Sequence, residues 1–351
     1  MRFSLITLAS LSITLSCTAQ KSMHPGALNL DERHALVLLD SSAAAYTLLQ
    51  DPTDLFFERV TASEMSIQMK QALSAGQTRA DVLPDFQDFL RRDVESFTAE
   101  ESSRVTEVIQ EVFNTCKNVF PGAFPDTLKL IKTKGQHYGA SVYYTRMNCI
   151  IVPANVLDPE ERKAFTSTMY HELFHVFSRL NPEKSRRLYR LIGFERIGLE
   201  HLQVPDALAA RVLYNPDGVD FAQKISLRTP DGNTIEAIPV IYANHLGYKP
   251  GQNEFFGYVE FNLYQVEKAG DNFWKVITRD DGYSSTLNLK ELPDFFRQIK
   301  DNTGYIIHPD EVLADNFAFL MQGKSNPKVT ARFSADGKKL ITDIEAELQK
   351  P

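Results

Sequence analysis

Residues 170–176 read Tyr-His-Glu-Leu-Phe-His-Val. Two positions four apart on a helix lie about 40° from each other around the axis and one turn apart. His171 and His175 can therefore turn both imidazoles toward one ion. Zinc binds imidazole nitrogen at about 2.0–2.1 Å, and a catalytic zinc typically keeps three protein ligands and one open position. Glu172 sits about 100° further round. It cannot line up with the histidines, but its carboxylate can reach a water at the metal and act as general base. The same pattern could instead be an ordinary helix with polar residues on one side, so its surroundings have to decide.

Those surroundings read as a helix made to be buried. Asp158 is a strong N-cap, Pro159 suits the first helical position, and Glu161 completes an Asp-x-x-Glu box. Asn181-Pro182 closes the segment, and Leu173, Phe174, Val176 and Phe177 give it other sides to bury. Upstream, TLKLIKT (127–133) and ASVYYTRMNCIIVP (140–153) are short, rich in β-branched and aromatic residues, and separated by Gly135 and Gly139. They predict two or three strands, mainly antiparallel.

Earlier still, from Leu30 to about Phe120, apolar residues recur at three and four, and Thr98 with Glu101 forms a capping box. Residues 183–214 look helical with breaks at Gly193, Gly198 and Pro205. Between 215 and 268, the turn signals NPDG and TPDGN alternate with the strand-like TIEAIPVIYA and FFGYVEFNLYQV. A last helix runs from Pro309 to Gly323, with charged residues closing the chain. The expected fold class is α+β, in three parts: a leader at 1–19, a helix-rich N-terminal region at 24–120, and a catalytic region at 121–351 that includes a strand-rich insertion at about 215–268.

A capped helix carrying His-Glu-x-x-His after a small sheet resembles the zincin metallopeptidases. The metzincin subclass needs Gly and His where Ser178 and Asn181 stand, which excludes it. Gluzincins bring a glutamate from a second helix, and HPDEVLADNF (308–317) offers Glu311 followed at four by Asp315. The resemblance rests on these two helices alone. It implies Zn2+ held by His171, His175 and Glu311, with Asp315 hydrogen-bonding the outer nitrogen of one histidine and fixing its tautomer. It also implies hydrolysis of peptide bonds in a peptide or protein substrate, with Glu172 as general base.

Glu195, twenty residues after His175, has the interval of thermolysin-like gluzincins. It is flanked by glycines, however, and Leu199 stands where the second acid is needed. A donor for the transition-state oxyanion is also expected. His308, Tyr305 and Tyr242 are the candidates, and His308 is the one put forward, although a capping or packing role competes at each. The strand around Tyr143 to Arg146 could take substrate backbone by edge addition.

A net charge of −7 and a pI near 5.7 give no reason to expect nucleic acid or anionic lipid as a partner. The first residues, with Arg2 before an apolar run from Phe3 to Leu15, read as a secretory signal cleaved after Ala19. TLSC also resembles a bacterial lipobox, although Thr14 stands where leucine is preferred; Cys17 would then carry lipid and be the sole membrane attachment. Either way the chain is expected outside the cytoplasmic membrane, as a periplasmic or cell-envelope lipoprotein. Cys116 and Cys149 could pair there or stand as two separately buried thiols. Two other readings stay open: an envelope-associated binding protein that keeps a zincin fold without catalysis, and a helical binding protein with no metal.

Overall fold

A computed structural model describes residues 26–218 and 220–350. The leader and Cys17 lie outside the described residues. The architecture is α+β, with two six-stranded sheets.

The first sheet contains β1 (Leu28–Asn29), β2 (Ala35–Leu38), β3 (Val94–Glu95), β4 (Thr127–Thr133), β5 (Tyr144–Arg146) and β6 (Cys149–Pro153). Its order is β1-β2-β4-β6-β5, with β3 pairing β4. The expected mainly antiparallel arrangement is corrected at the centre, where β2, β4 and β6 run parallel. The hairpin is β5–β6, turned at Met147, whose φ is 51°. It inserts β6 beside β4 and leaves β5 as an antiparallel edge. Composition could not reveal this, because parallel and antiparallel strands draw on the same β-branched residues.

The N-terminal region is less purely helical than expected. Ala35–Leu38 is a strand, and helix α1 (Ser41–Leu48) begins only after Asp40, whose side chain caps Ala43 N. There follow α2 (Phe56–Arg59), α3 (Ala62–Met69), α4 (Arg79–Asp93) and α5 (Ala99–Val119). The Thr98–Glu101 capping box is present at α5, and Thr78 with Asp81 forms a second one at α4.

Alternation along β4 and β6 sorts side chains to two faces. Leu128, Leu130, Ile150 and Val152 enter the core shared with α5 and with α6 (Arg162–Leu180). Ile131, Cys149 and Ile151 enter the core under α1 and α4. Cys116 belongs to the first core and Cys149 to the second, and both thiols are free.

Helix α6 carries the motif. A 3-10 turn over Pro159–Glu161 precedes it, with Glu161 N bonded to Asp158 O at 3.0 Å, so the expected Asp158 side-chain cap is replaced by a backbone turn. Then come α7 (Pro182–Leu191), β7 (Phe194–Arg196), β8 (Leu202–Gln203), the short α8 (Asp206–Ala209), β9 (Gln223–Arg228), β10 (Thr234–Ala243), β11 (Val259–Lys268) and β12 (Trp274–Val276). The strands form the second sheet, in the order β7-β9-β10-β11-β12-β8. The strand-rich segment thus starts at 194 and ends at 276, wider than 215–268. Helix α9 (Pro293–Ile299) leads to α10 (Pro309–Ser325), which packs along α6, and α11 (Ala335–Leu348) is a further helix near the C-terminus that its many charges mask in the sequence.

Candidate metal centre

Helix α6 supplies His171, Glu172 and His175, and α10 supplies Asp310, Glu311 and Asp315. His171 Nε2 lies 3.0 Å from His175 Nε2 and 3.1 Å from Glu311 Oε2, and His175 Nε2 lies 3.3 Å from the same oxygen. A tetrahedral zinc with bonds of 2.0–2.1 Å separates neighbouring ligand atoms by about 3.3 Å. The triangle therefore has nearly the edge lengths of one face of such a site.

The outer nitrogens explain why the inner ones converge. His171 Nδ1 meets Asp315 Oδ1 at 2.8 Å, and His175 Nδ1 meets Asp310 Oδ2 at 2.7 Å. Each carboxylate requires a proton on Nδ1, which leaves Nε2 a bare lone pair in the neutral ring. Two bare nitrogens and a carboxylate oxygen, all within 3.3 Å, repel one another unless a cation or a shared proton lies among them. The titration behaviour expresses the same demand. Burial alone would lower the His171 pKa, but Asp315 and Glu311 outweigh it and hold it up to about 10. His175 is likewise raised against its burial, chiefly by the Glu311 charge. Glu311 is held well below the usual carboxylate range despite burial, chiefly by His175.

Glu172 is 5% exposed, and its Oε2 has no hydrogen-bond partner. Burial, followed by the nearby Asp217 charge, pushes its pKa up to about 8. The phenol of Tyr143 is raised by burial and then by the Glu172 charge. Tyr305 stacks on His171, with ring centroids 6.0 Å apart and planes 22° apart.

The structure brings together His171, His175, Glu311 and Asp315, with Glu172 alongside. Glu195 is elsewhere: on β7, exposed, paired with Lys224 at 3.3 Å. His308 is the N-cap of α10. Its Nδ1 accepts from Asp310 N at 3.1 Å, and its Nε2 faces Asp220 O at 3.1 Å. Both ring nitrogens are thus engaged in holding backbone. Tyr242 packs against Tyr264 and Tyr283 in the second sheet.

Four further residues are not legible in the motif. Asp310 supports His175, and its one signal was an acid directly before Glu311. Asn215 Nδ2 holds Glu311 Oε1 at 2.5 Å. Asp217 Oδ1 takes both the N–H and the hydroxyl of Thr145, at 2.6 and 2.5 Å. It therefore covers the free edge of β5 where edge addition was expected. Arg179 binds Asp54 at 3.0 Å and Pro216 O at 2.9 Å, bolting the 215–218 turn to α6. That turn signalled only a change of direction.

No protein-family model, curated protein or solved structure matches the chain. Among the described residues, the second His/Asp/Glu group that could hold an ion is Glu172, His175 and Asp217, which shares its histidine with the first.

Proposed function

We propose that the chain is a zinc-dependent hydrolase of peptide bonds, with a zincin fold of the gluzincin type. The observation that carries this reading is the triangle of His171 Nε2, His175 Nε2 and Glu311 Oε2, with sides of 3.0, 3.1 and 3.3 Å. Each histidine is backed by its own aspartate. The donor set, two imidazoles and one carboxylate, suits zinc and leaves a fourth position open.

Zinc held by these three atoms supplies Lewis-acid polarisation of the scissile carbonyl and lowers the pKa of water within its reach. Everything else falls to the chain. Glu172, with Oε2 buried and unpartnered, takes the proton of the attacking water and passes it to the leaving amine. Asp315 and Asp310 fix the tautomers of His171 and His175, and Asn215 holds the second oxygen of Glu311. Tyr305, stacked on His171, is the hydroxyl assigned to the developing oxyanion in place of the engaged His308. The leader sends the chain across the cytoplasmic membrane and is either cleaved after Ala19 or processed before Cys17, which then carries lipid.

The test is digestion of a mixed peptide library by the purified protein, with and without a chelator. Cleavage that stops with chelator and returns with zinc supports the reading. Cleavage indifferent to chelator, or none from zinc-loaded protein, contradicts it.

A further inference from the structure

Beside the cluster lies a cavity of about 60 Å³, walled by Val142, Leu213, Ile241, Phe255, Val259 and Ile307. Its lining also includes residues that touch the candidate metal centre. Tyr305 stacks on His171, Asn215 holds Glu311, and Asp217 lies beside Glu172. Phe256, 57% exposed, extends the apolar surface outward. A group in this cavity therefore lies next to whatever occupies the centre.

Size and polarity restrict the occupant. A dry apolar cavity of about 150 Å³ in a protein interior binds benzene. At about 60 Å³, this one is too small for a phenyl or indole ring and suits three or four aliphatic carbons. Glu64 in the lining could suggest a cationic side chain instead, but its carboxylate does not face the cavity as a free acceptor. It is fully buried and accepts from Tyr214 N at 2.8 Å, Gln68 Nε2 at 3.0 Å and Tyr138 Oη at 3.4 Å. Its role is to fasten the start of the 214–218 turn, which lines the cavity.

We propose that this cavity is the specificity pocket of the site and takes a branched aliphatic side chain, Val, Leu or Ile, next to the scissile bond; this rests on the peptidase reading above. Burying such a side chain favours binding strongly enough to select among bonds in a flexible substrate.

Two measurements test it. Zinc-loaded protein digests peptides randomised on both sides of the bond, and the products are read by mass spectrometry. Val, Leu and Ile should exceed Phe, Trp, Lys and Arg at least tenfold at one fixed position. Val259→Phe should shift that preference to Ala and Gly, and Val259→Ala should admit Phe. The second needs no turnover: N-acetyl-leucinamide, N-acetyl-phenylalaninamide and N-acetyl-lysinamide are titrated into metal-free protein by ligand-observed NMR. The leucinamide should bind at least fivefold more tightly than the others. Cleavage without aliphatic preference, equal binding of the three amides, or preference for lysine overturns the pocket. Leucinamide selectivity in a protein that cleaves nothing supports the pocket and overturns the peptidase reading instead.

Discussion

Asp310 Oδ2 lies 2.7 Å from His175 Nδ1, while Oδ1 of the same carboxylate takes the hydroxyls of Ser178 at 2.6 Å and Tyr189 at 2.7 Å. All four residues are nearly or fully buried. His175 is therefore oriented by an acid that is itself oriented, whereas Asp315, the partner of His171, is half-buried and held by Thr303. Loss of such an outer partner typically costs 10–100-fold in metal affinity. Asp310→Ala and Asp315→Ala should both weaken zinc within about that range. Asp310→Ala should also lower the melting temperature more, because it strands three buried donors. Zinc competition with a chromogenic chelator, paired with thermal melts, checks both. Equal melts for the two variants would show that the Asp310 network is not structural.

Removing a ligand should do more. Glu311→Ala leaves two protein ligands of three, and its loss of zinc affinity should exceed the roughly 100-fold upper end for an outer partner. Glu195→Ala, whose carboxylate faces Lys224 and solvent, should bind zinc like the parent chain. The same chelator competition decides, and zinc loss in Glu195→Ala alone would remove α10 from the centre.

Glu64 predicts a pH dependence of stability. Burial pushes its pKa up to about 8 from an ordinary 4.5. Between those values the native state holds a proton that the unfolded chain has released, so stability falls as pH rises through the window and the full cost is reached above about 8. A tenfold difference in proton affinity between the two states is worth about 1.4 kcal/mol, giving a few kcal/mol in all. Glu64→Gln should make the slope shallower by the Glu64 share, leaving that of Glu172, and stabilise the protein at pH 8, with little effect near pH 4.5. Gln68 Oε1, buried without a partner, can accept from the new amide after a side-chain flip. Denaturant melts across pH 4–9 measure it, and parallel stability curves for parent and variant would contradict the assignment.

If Cys17 carries lipid, Cys17→Ser should move the protein from the membrane to the soluble fraction. Unchanged fractionation would indicate ordinary cleavage after Ala19.

How much of the fold and site is legible in the sequence follows from where each signal resides. The geometry of His171, Glu172 and His175 is set by one helix, so backbone period alone positions them. Glu311 and Asp315 obey the same rule on α10. Asn215 and Asp217 are held at the cluster by Arg179 and Thr145, which anchor their turn, and relations across 37 and 72 residues leave no local pattern. The strand Ala35–Leu38 reads as helix because four apolar residues carry no period to distinguish the two. The parallel pairing of β2 with β4 depends on the crossover that helices α1–α5 make over both faces, and that of β4 with β6 on residues 134–148, which carry β5 and no helix.

The proposed division of labour, three side chains holding zinc while a fourth moves the proton, is tested most directly by measuring zinc stoichiometry and peptide cleavage on the same preparations of the parent chain and Glu172→Gln. Both should hold one zinc per chain, with cleavage in the variant reduced by roughly 10²–10⁴-fold or more. Equal cleavage by the two, or loss of zinc from Glu172→Gln, would contradict it.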